Sequence, residues 1–255
     1  MEKRRFINPS LIRKIRNESD QRAYEWTFPA KHINTTGKNL DDYKRVLPKF
    51  GGRNFVEHIE AKIASGSSNV RVLDLGCGQG VCSAMLMRDF PQVKSSGMSA
   101  RDFRPLLPEN LSELIKRVDY RIGGAHRLNE VFAGERFDFI TALYSFEYFA
   151  DPLAVLKKAY RMLKPEGIMF INNLHIPLKL KEKPLLEELW KKQGINVYID
   201  WPYPEHIAER DSVNISIMRD NSPRLPLPFK YNPRVNYVES FGHKIPRLSY
   251  RLTLP

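Results

Sequence analysis

The residues whose types and spacing could do chemistry stand in one run. Val70–Gly80 reads VRVLDLGCGQG and contains Asp74, Gly76, Cys77, Gly78, Gln79 and Gly80. Val70–Leu75 is apolar and interrupted only by Arg71 and Asp74, which suits a buried central strand. A helical pattern, Val81–Phe90, follows the glycines. A strand, a glycine turn and a helix in that order let backbone approach a ligand closely. The glycines remove the Cβ atoms that would block it, and the helix N-terminus offers unpaired N–H groups to an anion.

A dinucleotide fingerprint, G-x-G-x-x-G, fits this run poorly. The glycines fall at 76, 78 and 80, position 81 is Val, and an acid two residues before the first glycine is not part of that pattern. An apolar strand followed by D-x-G-x-G resembles motif I of the class I S-adenosylmethionine-dependent methyltransferases. The bland alternative is a glycine turn with no ligand.

The elements that must position this turn follow from periodicity. Phe55, Ile59 and Ile63 recur at helical spacing, so Asn54–Ala64 reads as a helix before the first strand. Val93–Met98 reads as a second strand, Leu106–Lys116 as a helix broken by Pro108, and Val118–Ile122 as a third strand. Phe137–Leu143 is a continuous apolar strand and Pro152–Leu163 a helix. Lys164–Gly167 reads as a turn and Ile168–Ile171 as the fifth strand. Glu187–Gln193 reads as helix, and Ile195–Ile199 and Val213–Met218 as strands.

Alternating strands and helices imply an α/β, doubly wound, mostly parallel sheet, and two last strands with no helical pattern between them imply an antiparallel hairpin. The seven-stranded sheet of the methyltransferase family ends this way. The stretch Phe137–Ile171 also resembles its fourth strand, following helix, K-P-G-G turn and fifth strand, with Glu166 in place of the first glycine. The resemblance covers about residues 54–219 and speaks to fold and cofactor, not to substrate. The expected organisation is an N-terminal extension and lid over 1–50, a methyltransferase domain over 51–219, and a Pro-rich basic tail over 220–255. Tyr24, Trp26 and Phe28 are candidates for the lid, or for core packing. Six prolines in the last 36 residues deny that stretch a long helix or central strand and suggest an extended or partly disordered tail.

The resemblance implies S-adenosylmethionine as co-substrate; no metal is expected, since no Cys/His set of metal spacing is visible. It puts Asp74 and Gly76–Gly80 at the aminocarboxypropyl end, and Leu143, Tyr144 and Ser145 beside the methionine part and the reacting methyl group. Two contacts depart from the family pattern. The usual ribose carboxylate falls on Ser99, with Asp102 as the alternative, and the usual G-D-A after the third strand reads Gly123-Gly124-Ala125, so Gly124 and Ala125 offer only backbone to adenine. Glu147 and His175, just past the fourth and fifth strands, are the catalytic candidates for accepting a proton. The [DNS]-P-P-[YF] signature is absent, which favours O- or N-methylation of a small molecule over base methylation. A degenerate binding module and an RNA methyltransferase are the alternatives.

Composition sets the remaining bounds. The chain has 255 residues and 42% hydrophobic residues, with no apolar run of membrane-spanning length. Two cysteines, Cys77 and Cys82, make neither a disulfide framework nor a metal set, and a cytoplasmic setting is expected. The net charge of +12 sits mainly in the flanks: residues 1–50 hold 12 Lys/Arg against 6 Asp/Glu, and residues 220–255 hold 6 against 2. Those flanks keep a nucleic-acid partner open beside a small-molecule acceptor.

Overall fold

The computed structural model describes residues 7–25, 39–106, 112–174, 183–200, 213–222, 224–227, 230–240 and 243–253. Helices α1 (Pro9–Glu25), α2 (Leu40–Val46) and α3 (Phe55–Ala64) precede β1 (Val70–Leu75). Asn54 starts α3 with a capping box: its side chain accepts from the Val56 and Glu57 N–H groups, while Glu57 accepts from the Asn54 N–H at 2.6 Å. Three of the first four unpaired donors of that helix end are therefore accounted for within the motif or its first turn. After β1 come α4 (Val81–Asp89), β2 (Val93–Ser99), α5 (Ser112–Ile115), β3 (Asp119–Ile122), α6 (Leu128–Val131) and β4 (Phe137–Ala142). Then follow α7 (Pro152–Met162), β5 (Leu163–Leu174), α8 (Lys183–Lys192), β6 (Asn196–Asp200) and β7 (Val213–Met218).

These strands form one seven-stranded sheet in the order β3-β2-β1-β4-β5-β7-β6. All pairs are parallel except β5–β7 and β6–β7, so β7 is the antiparallel strand of the closing hairpin. Alternation along β1 splits the core between two faces. Val70 and Val72 join the cluster under α2, α3 and α4, while Leu73 and Leu75 join the cluster with α7, Trp190 and Tyr250. The strand order reverses between β1 and β4, the place where open α/β sheets receive ligands. The glycine turn and Leu143–Ser145 sit on that switch point.

Three expectations are revised. The Lys164–Gly167 turn is absorbed into a longer β5: against β4 the register passes from Phe137↔Leu163 to Phe139↔Ile168, so three extra residues bulge from β5. Glu166 takes the positive φ of 63° there, held by its N–H donating to the Arg219 carbonyl at 2.9 Å. The helix expected over 106–116 is, among the described residues, a 3-10 turn Arg104–Leu106 and the short α5. The proline-rich stretch forms a ribbon, β8 (Lys230–Ser240) against β9 (His243–Thr253), instead of an unpaired tail. Pro233 and Pro246 lie within it, opposite Tyr250 and Tyr237. A two-stranded ribbon has an open edge on each strand, which is where a sheet tolerates a missing N–H donor.

Both flanks meet the body at one carboxylate. Asp151 caps α7 by accepting from the Ala154 N–H at 3.1 Å, from Arg16 of α1 at 3.0 Å and from the Tyr250 hydroxyl of β9 at 2.5 Å. The Leu248 N–H donates to the Ala150 carbonyl at 2.7 Å, and Ile15 and Leu248 are buried in the same cluster as Phe146 and Leu153. Asp151→Ala removes a helix cap and two long-range bonds together, and is expected to cost about 2–4 kcal/mol in urea unfolding. A chain ending at Asp220 is expected to melt well below the full chain, because Leu225, Leu248 and Tyr250 leave the core with it. Equal melting temperatures would mean the ribbon adds nothing to the fold.

Candidate functional site

The site is built from the carboxyl ends of β1, β2, β3 and β4. Asp74 is buried at 2% exposure and lies in register with Gly97 on β2 and Thr141 on β4. Its two oxygens accept from the Tyr43 hydroxyl at 2.7 Å and the Thr141 hydroxyl at 2.9 Å. Burial pushes the Asp74 carboxyl up to about 6, against the pull of those two donors. Burial and the neighbouring Asp74 charge likewise push the Tyr43 hydroxyl up, so it stays a donor. Asp74 thus ties α2 to the strand that launches the turn.

The turn is held by its neighbours on both sides. Gly76 and Cys77 donate their N–H groups to the Met98 carbonyl at 2.7 and 3.1 Å. Gly76 has φ 75°, and a Cβ there would lie 2.3 Å from the Cβ of Ser145, whose hydroxyl donates to the Leu75 carbonyl at 2.6 Å. Gly78 has φ 55°, and a Cβ there would meet nothing within 4 Å. Gly76 is itself exposed, but a side chain on it would be directed into Ser145, whereas one on the half-buried Gly78 would be directed into open space. Cys77 is half-buried over Gly97, and burial together with the Asp74 charge keeps its thiol protonated. Gln79 is buried, and Gly80 begins α4 with φ 80°.

On the other flank, the Tyr120 hydroxyl of β3 donates to the Gly78 carbonyl at 2.6 Å and accepts from the Phe103 N–H at 3.3 Å. One phenol therefore pins the turn after β1 and the loop after β2. Ser99 is buried at the end of β2, and its carbonyl accepts from the Gly123 N–H at 2.9 Å. Asp102 is engaged by Arg104 through both oxygens, at 2.8 and 2.7 Å, and that guanidinium holds its carboxyl below the usual range. Arg104 stacks over the Tyr120 ring at 4.8 Å. Gly124 is buried and starts the 3-10 turn Ala125–Arg127.

Leu143, Tyr144 and Ser145 follow β4 directly, with Leu143 and Ser145 buried. Glu147 lies in the 3-10 turn Phe146–Tyr148, and its side chain is outside the described residues, as are His175 and the aromatic residues Trp26 and Phe28. The structure therefore gathers Asp74, the turn, Ser99 and Leu143–Ser145 at one edge, and leaves the two catalytic candidates without described side chains. Sequence reasoning missed Tyr43, Tyr120, Thr141 and Asn172. Tyr43 follows Leu40 and precedes Leu47 at helical spacing, which marks a buried face but not a hydroxyl bond to a strand 31 residues away. Among the described residues no cluster of three or more His, Cys, Asp or Glu could hold a metal, and no helix is long and apolar enough to cross a membrane.

Two expected outcomes follow from this geometry. With a folded-state pKa of about 6, Asp74 keeps a proton between roughly pH 4 and 6 that the unfolded chain has lost, so stability falls as pH rises through that window. Urea unfolding of the parent and of Asp74→Asn at pH 4, 5, 6 and 7 should show their difference changing by on the order of 3 kcal/mol, the parent losing ground as pH rises. A difference constant across pH would contradict the assignment. Gly76→Ala drives a Cβ into Ser145 and forces a left-handed alanine, so a loss of about 3 kcal/mol or more is expected.

The family described as "Methyltransferase domain" matches residues 21–210. The ubiquinone biosynthesis O-methyltransferase of Parvibaculum lavamentivorans is 34% identical over 121 residues, 48% of this chain and 47% of that protein. Its counterpart in Azorhizobium caulinodans is 37% identical over 114 residues, 43% of this chain and 42% of that protein. The chain thus matches a little under half the length of these curated relatives. Among solved structures, an O-methyltransferase family protein from Burkholderia thailandensis is 16% identical with a TM-score of 0.42, over 64% of this chain and 57% of that one. With the family match spanning most of the sequence and the sheet order β3-β2-β1-β4-β5-β7-β6, the chain belongs to the class I S-adenosylmethionine-dependent methyltransferase family.

Proposed function

We propose that this chain binds S-adenosylmethionine across the carboxyl ends of β1 and β4 and transfers its methyl group to an oxygen of a small-molecule acceptor. The observation that carries the reading is the open space over Gly78. A Cβ on Gly76 would strike Ser145 at 2.3 Å and one on Gly80 would strike Ile115 at 2.5 Å, whereas Gly78 has nothing within 4 Å. A left-handed glycine facing a void at the switch point of the sheet fits a backbone that a ligand must approach. The oxygen-methylating names of the curated relatives support the acceptor class.

When bound, S-adenosylmethionine supplies an electrophilic methyl group. The chain's own part is to hold both partners in line and to remove a proton. In this reading the backbone of Gly76–Gly80 faces the cofactor's carboxylate, and Asp74 acts through the turn it braces. Ser99 meets the ribose by a neutral hydrogen bond, since Asp102 is already paired with Arg104. Gly124 and Ala125 read adenine with backbone alone. Leu143–Ser145 flank the reacting methyl group, and Glu147 and His175 are the candidates to accept the acceptor's hydroxyl proton.

The second reading, a binding module without turnover, is favoured by the absence of a carboxylate at Ser99 and Gly124. Calorimetry with S-adenosylhomocysteine separates the possibilities in two steps. The parent should bind, and Gly78→Val should weaken binding by more than tenfold while destabilising the fold by only about 1–2 kcal/mol. Turnover is then read as S-adenosylhomocysteine released with catechol as a generic phenolic acceptor. Glu147→Gln or His175→Asn should lower that rate and leave S-adenosylhomocysteine affinity in place. Binding without turnover across phenolic, amine and RNA acceptors would favour the module.

A further inference from the structure

We infer that Asn172 is a positioning residue: its buried carboxamide holds Tyr144 in a left-handed backbone conformation at the carboxyl end of β4, and so fixes one wall of the acceptor side. The consequence for ligand binding rests on the cofactor reading above; the geometry does not.

Among the described residues, Tyr144 (φ 49°) and Glu166 (φ 63°) are the non-glycine residues with positive φ. Glu166 sits in the K-P-E-G bulge, where a turn requires it. Tyr144 is at the ligand edge, and its Cβ and bulky ring make this backbone region costly. Such a conformation persists only where the surroundings over-determine it.

Here they do so from both sides. The Tyr144 N–H donates to Asn172 Oδ1 at 3.3 Å, and Asn172 Nδ2 donates to Asn214 Oδ1 at 2.8 Å. The next residue, Ser145, is anchored by its hydroxyl to the Leu75 carbonyl at 2.6 Å and fills the space beside Gly76. Tyr144 is thus strung between β5 and the motif turn. Asn172 is fully buried, where a carboxamide is retained only if it is hydrogen-bonded.

The sheet makes room for this arrangement. The β5–β7 ladder pairs Ile171 with Ile215 and Leu174 with Val213, so one extra residue bulges from β5 next to Asn172. Bulges beside functional edges re-aim side chains. The half-buried Tyr144 packs against the cluster to which Leu40, Tyr43 and Leu47 of the α2 segment and Leu143 at the end of β4 belong. The wall on that side therefore joins α2 to the end of β4, and Asn172 sets its angle from behind without reaching the ligand.

The test compares Tyr144→Gly with Tyr144→Ala. Both remove the ring, but only glycine tolerates the left-handed backbone. In the parent background Tyr144→Gly should melt about 2–4 °C above Tyr144→Ala, the reverse of the order on ordinary backbone. In an Asn172→Leu background the gap should close, because the restraint is gone. Asn172→Leu should also weaken S-adenosylhomocysteine about tenfold, and Asn172→Asp, whose protonated carboxyl can accept from the Tyr144 N–H and donate to Asn214 Oδ1, should stay within about threefold of the parent at pH 5 and lose affinity relative to the parent at pH 8. Should Asn172→Leu not fold, Asn172→Asp decides in its place: affinity lost relative to the parent on raising the pH supports the inference, and affinity that tracks the parent across pH overturns it. Tyr144→Ala melting at or above Tyr144→Gly overturns the inference, as does unchanged affinity in Asn172→Leu. Failure of the parent to bind S-adenosylhomocysteine overturns the cofactor reading instead, and leaves the Gly/Ala order to judge the restraint.

Discussion

The ligand end of this fold depends on how closely two loops interpenetrate. β1 and β4 are neighbours in the sheet, yet each must release a loop at the same edge, and the space between parallel strands is about 5 Å. The loops solve this by occupying each other's volume: Ser145 sits where a Gly76 side chain would be, and its hydroxyl replaces the ladder bond that Leu75 loses as β1 ends. The remaining supports then follow. Asp74 has to be braced from beneath by Tyr43 and Thr141, because the strand carrying it ends in a turn with no room to shift.

Much of the scaffold could be read from the sequence, because its elements differ in period. Val70–Leu75 and Val213–Met218 have the same bounds in the structure as in the sequence pattern, and the helix read over Asn54–Ala64 runs from Phe55 to Ala64. Such strands are buried on both faces and flanked by breakers, so local signals suffice. The stretch after Asp220 was harder. Its prolines correctly argue against a central strand, but they are silent on a two-stranded ribbon, paired from Ser240↔His243 outward, whose open edges accept them.

The candidate site was legible only where backbone makes it. Glycines with forced φ values announce themselves by residue type; hydroxyl and carboxamide braces do not. Tyr43, Tyr120 and Asn172 are ordinary members of buried faces until the tertiary structure brings each to a distant carbonyl, carboxylate or amide. The same limit applies to Asp102. By position it could have served as a ribose clamp, but a guanidinium two residues on takes both of its oxygens.

The meeting of α1 and β9 at Asp151 bears on how the molecule reaches its native state. Arg16 contacts a residue 135 positions on, and Tyr250 one 99 positions back, so the core face beneath α7 closes only when segments from both ends of the described chain have arrived. Contacts of such long sequence separation slow folding, because the loop entropy is lost before the contact is gained. During synthesis, the face formed by Phe146, Leu153 and Leu156 stays uncovered until Leu248 and Tyr250 have emerged. A nascent chain of this protein therefore exposes that apolar face until β9 has emerged, a surface of the kind that chaperones recognise and that aggregates when it is not covered.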